Sequence, residues 1–211
     1  MFDYLFKYYN EVFTQLIEHL VLTVSALALA MLFALPVGFF LSRVKWLSIP
    51  VLSFLGIIYA IPSLAMFAML IPLVGLGVKS AIIALVAYSQ LILVRNVMAG
   101  FKTVDDAIIE SGKGMGLSPA QLFWKIELPL AMPVILGGVR IAAVSTIGIA
   151  TIAAWINAGG LGELLFEGLY QNSTPKMVWG TLLVSLLAIV TNQLLLWLEK
   201  RSALRARGEL P

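Results

Sequence analysis

The chain has 211 residues, 61% of them hydrophobic and only 12% charged, with a formal net charge of +3. A mean hydropathy of +0.99 excludes an ordinary soluble domain and points to one integral membrane domain over residues 1–211. Cysteine is absent, which excludes disulfides, thiolate metal sites and cysteine nucleophiles.

At the N-terminus, Phe2, Leu5, Phe6, Tyr9, Phe13, Leu16 and Ile17 recur at helical spacing, and Asp3, Lys7, Asn10, Glu11, Thr14 and Glu18 take the other face. The pattern predicts an amphipathic helix lying on the outer membrane surface. It has neither the basic start nor the small-residue cleavage site of a signal peptide. Charge-free runs follow over 20–42, 46–78, 80–94, 141–162 and 177–198. A bilayer core takes about 20 apolar residues per helix, so these runs predict five spans near 20–42, 50–74, 79–99, 133–155 and 177–198. The expected fold is an all-α membrane protein with its termini on opposite sides.

Inside the second span, Pro62 removes a backbone donor and predicts a kink. Tyr59, Pro62 and Ser63, with Asn157 beyond span four, are candidates to line a translocation path; the plainer reading is that Pro62 only shapes packing. Between spans three and four lies a polar loop, 101–130. Thr103 with Asp106 predicts one helix start, and Gly116 a left-handed stop with Leu117 folding back on that helix. Ser118, Pro119 and Gln121 predict a second start, and Leu128-Pro129 the end of that second helix. The result is two short helices joined by a rigid corner, built to be pushed against.

Span four is rich in small residues, among them Gly137, Gly138, Ala142, Ala143, Gly148 and Ala150. Small residues let helices approach closely in lipid, so this span is expected at the centre of the bundle or at a dimer seam. Arg140 is expected either to snorkel or to pair with a carboxylate or carbonyl.

Basic residues set the orientation. Arg43, Lys45, Lys102, Lys113, Lys125, Lys200, Arg201, Arg205 and Arg207 fall on one side, against Lys7, Lys79 and Lys176 on the other. The richer side is expected in the cytoplasm, with the N-terminus outside and the C-terminus inside. Trp46, Trp155, Trp179 and Trp197 fall near span ends, where amphipathic rings prefer to sit.

No catalytic constellation stands out. Gly77-Val78-Lys79-Ser80 does not make a phosphate loop, the single His19 reads as structural, the carboxylates look scattered, and no aromatic cage is visible. No nucleic-acid partner is expected.

Glu110-Ser111-Gly112, three residues, Gly116, nine residues, then Ile126-Glu127-Leu128-Pro129 resembles the EAA loop of permease subunits in binding-protein-dependent ATP-binding-cassette importers. The usual pattern is Glu-Ala-Ala, three residues, Gly, nine residues, Ile-x-Leu-Pro. The two alanines are replaced here by Ser111 and Gly112, both small. Ala60-Ile61-Pro62-Ser63-Leu64-Ala65, Leu93-Val94-Arg95-Asn96 and Ala158-Gly159-Gly160-Leu161-Gly162 resemble the osmoprotectant branch, whose members import glycine betaine, carnitine, choline or related quaternary amines. Methionine-importer permeases share the five-span plan and a similar Ala-Gly-Gly-Leu-Gly element, and remain the alternative.

The resemblance implies a type I importer permease fold like that of the methionine-importer permeases. It implies that Glu110, Ser111, Gly112, Gly116, Leu117, Ile126, Leu128 and Pro129 couple the chain to an ATPase. This chain would bind no cofactor; ATP and Mg would be handled by a partner ATP-binding-cassette dimer. Further implied partners are a second copy or a sibling permease, an extracytoplasmic substrate-binding protein and the lipid of a bacterial plasma membrane. A secondary carrier would show internal pseudo-symmetry and intramembrane acids; the sequence shows neither.

Overall fold

The structure, a computed structural model, describes residues 2–209, and among these every regular element is helical. In chain order come α1 (Phe2–Lys7), α2 (Tyr9–Arg43), α3 (Lys45–Ala60), α4 (Ser63–Val74), α5 (Val78–Lys102), α6 (Asp106–Gly114), α7 (Pro119–Leu122), α8 (Leu128–Ala153), α9 (Gly162–Tyr170) and α10 (Thr174–Ala206). Four helices are long and apolar enough to cross a membrane: α2, α5, the run Pro119–Ile156, and α10. The bent pair α3–α4 makes five when taken as one span.

The core is organised by α5 and α8, which pack on each other; α2 lies against α5, and α10 against α8. The small residues of span four explain its central place. Ala142, Ala143, Ala150 and Ala153 are buried, and a Cβ built on Gly138 would stand 2.3 Å from the Cβ of Asn96 on α5. No bulkier residue fits that crossing without moving a helix. Arg140 pairs with Glu199 of α10 at 2.8 Å and donates to Asn192 Oδ1 at 3.3 Å. Its role is structural: it ties α8 to α10 with charge and hydrogen bonds satisfied together.

Three expectations are adjusted. The amphipathic N-terminal helix is present, but from Tyr9 it runs straight into the first span instead of forming a separate surface element. Val12, Gln15 and His19 are buried there, with Val12 packed on Leu161 and Leu164, so protein contacts decide the path of this segment. The side chains of Phe2 and Asp3 lie outside the described residues. At Pro62 the change of direction is a break of 93°. Ile61 and Pro62 are both extended, with ψ of 128° and 133°. The ring of Pro62 excludes a helical residue before it, and the Tyr88 hydroxyl donates to the carbonyl of Ile61 at 2.6 Å, giving that main-chain oxygen a partner inside the bundle.

The third adjustment is that Leu128-Pro129 does not end a helix. A wide π-helical turn, Phe123–Glu127, joins α7 to α8, so the chain is helical without interruption from Pro119 to Ile156, 38 residues. The Leu128 N–H reaches back to the Phe123 carbonyl, five residues away. The wider turn accommodates a proline that has no donor and would crowd an ordinary turn.

Candidate functional site

One end of the bundle carries the loop between α5 and α8. The first loop helix is capped by Asp105, whose Oδ1 accepts from the Ala107 N–H at 2.9 Å. Thr103, expected as the cap, instead closes α5 by donating to the Gly100 carbonyl at 2.7 Å. The corner follows the sequence expectation. Gly116 has φ +78°, the Gly116 N–H donates to Lys113 O at 2.9 Å, and the Leu117 N–H donates to Gly112 O at 3.2 Å. These two bonds form a Schellman stop, with Leu117 packed back onto the cluster containing Ile109 and Leu122. Ser118 and Gln121 then close a capping box: Gln121 Oε1 accepts from the Ser118 N–H at 2.9 Å, and Ser118 Oγ accepts from the Gln121 N–H at 3.3 Å.

The eight coupling candidates, the seven specified positions of the EAA-like pattern and Leu117, divide by exposure. Glu110, Ser111, Gly116 and Pro129 face outward; Gly112 and Leu128 are buried; Leu117 and Ile126 are half-buried. A Cβ on Gly112 would meet Leu122 Cδ1 at 2.7 Å and Ile126 Cδ1 at 2.8 Å, so a side chain there would make those terminal methyl groups shift. Glu110 has no ion pair among the described residues.

The brace inside the loop is Glu127, the unspecified position of the Ile-x-Leu-Pro element. Its side chain is 5% exposed and pairs with Arg43 at the end of α2, at 2.5 Å. The Arg43 guanidinium lies over the Phe39 ring, 5.4 Å from its centroid. Phe39 in turn meets Phe101 edge-on at 4.8 Å and Phe123 at 5.0 Å. Together they weld the loop to α2, α5 and α8. The pairing spans 84 residues of sequence, so no local spacing signals it.

The path candidates do not converge. Tyr59 is 40% exposed and meets Tyr88 edge-on with centroids 6.1 Å apart. Ser63 is half-buried, and Pro62 is exposed at the break. Asn157 lies elsewhere, at the end of the bundle that holds the N-terminus. There it takes a left-handed conformation, φ +60°, beside two cavities of about 360 Å³ each. None of Tyr59, Pro62 or Ser63 lines either one.

That same end gathers carboxylates that look scattered in the sequence. Glu18 of α2 accepts from the Gly160 N–H at 3.0 Å, Gln15 Nε2 donates to Glu163 Oε2 at 3.3 Å, and Lys176 pairs with Glu167 at 2.6 Å. Burial, and then the neighbouring Glu18 carboxylate, hold the Glu163 carboxyl above its ordinary range. A sequence signal existed: Glu11 and Glu18 are seven apart, Glu163 and Glu167 four, and each spacing puts its pair on one helix face.

Residues 13–204 match the family of binding-protein-dependent transport system inner membrane components. The chain belongs to that family. As a permease of this kind it is 39% identical over 192 residues to the choline transport system permease protein OpuBB of Bacillus subtilis (strain 168), covering 91% of this chain and 88% of that one. It is 40% identical over 183 residues to the osmoprotectant import permease protein OsmW of Salmonella typhimurium, covering 84% and 85%. Its fold matches a chain of the MetNI methionine ABC transporter in an inward-facing conformation with a TM-score of 0.80 at 22% identity, over 90% of this permease and 95% of that chain. The type I importer permease fold expected from the sequence is therefore the one found.

Proposed function

We propose that this permease forms the membrane path of an ATP-driven importer for quaternary-amine osmoprotectants such as choline, glycine betaine or carnitine. The observation that carries the mechanism is the continuous helix Pro119–Ile156, which joins a rigid, doubly capped corner to the opposite end of the bundle. The substrate class rests on relatives named for choline and for osmoprotectants at 39% and 40% identity.

In this reading a partner ATPase dimer docks at the corner around Glu110 and Gly116. ATP and Mg act there, because this chain has no phosphate loop. Closure of the ATPases pushes the corner. The Schellman stop and the capping box keep it from flexing, and Ile126, Leu128 and the Glu127–Arg43 pair pass the push to α8 and α2. A second permease, whether an identical copy or a sibling, completes the path, and an extracytoplasmic binding protein delivers the substrate. Asn157 lies at the delivery end. Tyr59, Pro62 and Ser63 mark the break in the α3–α4 span, where the path is expected to narrow.

The loop end lies in the cytoplasm and the N-terminus outside, following the excess of Lys and Arg at the loop end. Single cysteines placed by Lys45→Cys, Gly114→Cys and Ser202→Cys should resist an impermeant thiol reagent in intact cells, and those from Lys7→Cys, Lys79→Cys and Asn172→Cys should react. The natural absence of cysteine leaves no background label. Reversed labelling would overturn the orientation and with it the ATPase-docking role of the loop.

The transport reading is tested by reconstituting the complex with its ATPase and binding protein in vesicles and measuring uptake of labelled choline, glycine betaine and methionine. Uptake of a quaternary amine that requires both ATP and the binding protein is the expected result. Methionine uptake alone would remove the substrate assignment and leave the importer mechanism. Uptake without ATP would remove the mechanism.

A further inference from the structure

Around Glu163, at the end of the bundle that holds the N-terminus, three aromatic side chains gather beside carboxylates, with Trp155 44% and Tyr170 72% exposed. Trp155, Phe166 and Tyr170 line a cavity of about 360 Å³ together with Glu163, Glu167 and Asn157. The fold creates this grouping: the 3₁₀ turn Ala154–Ile156 closes α8, and α9 starts at Gly162 tight against it. A Cβ on Gly162 would stand 2.0 Å from the Thr151 carbonyl oxygen, so only glycine allows α9 to lie this close. That approach sets Phe166 and Tyr170 of α9 on the same cavity as Trp155.

The charge of this region is only partly compensated. Adjoining cavities of about 360 and 340 Å³ also include Glu163 and bring in Glu18 and Glu11. Of the four carboxylates only Glu167 has an ionic partner among the described residues, Lys176. Gln15, 5% exposed, lines one of these cavities; its amide nitrogen is spent on Glu163, and its Oε1 has no partner. The groups lining the proposed cavity are thus two carboxylates, the Asn157 amide and three aromatic side chains. A quaternary ammonium carries its charge without N–H donors, is weakly hydrated, and gains from ring faces and a negative field together.

We propose that the Trp155–Phe166–Tyr170 cavity, with Glu163 and Glu167, is a receiving site for the trimethylammonium group of the substrate as it leaves the binding protein. The proposal deepens the quaternary-amine reading and rests on it for the substrate, but the site has a direct binding test of its own. Glu163 is the residue common to the three cavities. Glu11, Gln15 and Glu18 face it from α2, Glu167 lies one turn further along α9, and Lys176 of α10 is engaged with Glu167. A bound cation favours the Glu163 carboxylate, so protons compete with it. Affinity should be full above the raised Glu163 value and fall as the pH drops through it.

The test uses the purified permease–ATPase complex without binding protein and measures equilibrium binding of labelled tetramethylammonium and choline. Saturable binding is expected, weakened about tenfold by Trp155→Ala and by Glu163→Gln, and largely kept by Trp155→Phe. Glu163→Gln should also flatten the pH dependence, which mere structural damage would not do. Variant-sensitive binding alongside a failure to transport any quaternary amine would uphold the cavity as a methylated-cation site but refute both the transport reading and the receiving role. Quaternary-amine transport with wild-type KM in both variants, and no binding to the complex alone, would refute the site and uphold the transport reading. Equal binding of guanidinium or a divalent cation would also overturn the proposal, since it would show a bare charge effect.

Discussion

Gly116→Val is expected to leave the permease inserted and assembled while cutting ATP-driven uptake about tenfold or more. The residue holds φ +78°, and a Cβ there would meet nothing within 4 Å. The cost is therefore purely conformational. An L-residue in this region costs about 1–2 kcal/mol, and a β-branched one more. Because the site is open, the strain is relieved by the corner opening and not by unfolding of the bundle. The Schellman bonds from Gly116 and Leu117 would break first, freeing α6 and α7 to move independently. Gly116→Asn is the control, since asparagine tolerates left-handed backbone far better. It should keep most of the uptake despite a larger side chain than alanine. If valine and asparagine behave alike, bulk at the docking surface and not backbone geometry explains the loss. Normal uptake in Gly116→Val would falsify the rigid-corner mechanism.

The second large effect is expected at Arg43. Arg43→Ala leaves Glu127 as a nearly buried carboxylate with no cation, and its Oε2 already lacks a partner. Truncating one member of such a pair costs more than the pair contributes, because the remaining charge stays desolvated. Arg43 itself is 47% exposed, which screens the interaction, so a loss of about 2 kcal/mol is the reasonable scale. Adding Glu127→Gln should recover much of it, because a neutral amide tolerates the site better. The readouts are the thermal midpoint of the detergent-purified complex and the ATP consumed per substrate moved. Unchanged values in both would show that the contact carries neither stability nor coupling.

The spans and the corner were legible in the sequence because both are local. A charge-free run of about 20 residues is a membrane signal by itself. Gly116-Leu117-Ser118-Pro119 with Gln121 encodes a stop and a start through turn chemistry alone. What escaped depends on partners distant in the chain. Proline before span four read as a stop because a π-turn leaves no mark in residue types. The N-terminal segment read as a surface helix because Phe6, Tyr9, Phe13 and Ile17 of its apolar stripe do face outward, while Val12, Gln15 and His19, which pack against protein, lie off that stripe. Arg43–Glu127, Tyr88 on the Ile61 carbonyl, and the meeting of Glu11 and Glu18 with Glu163 and Glu167 are all tertiary. In each case the residue types were visible, and only the packing joined them.

The unbroken run from Pro119 to Ile156 extends about 57 Å at 1.5 Å per residue, longer than the hydrocarbon layer is thick. A strut of that kind cannot be loaded at one end only. If nucleotide binding at the corner changes the affinity of the far end for a docked binding protein by some factor, docking must change nucleotide affinity by the same factor. Measured nucleotide affinity in the presence and absence of loaded binding protein would then report the work done on the substrate side. If that factor is above one, nucleotide should be held more tightly with loaded binding protein docked than without it.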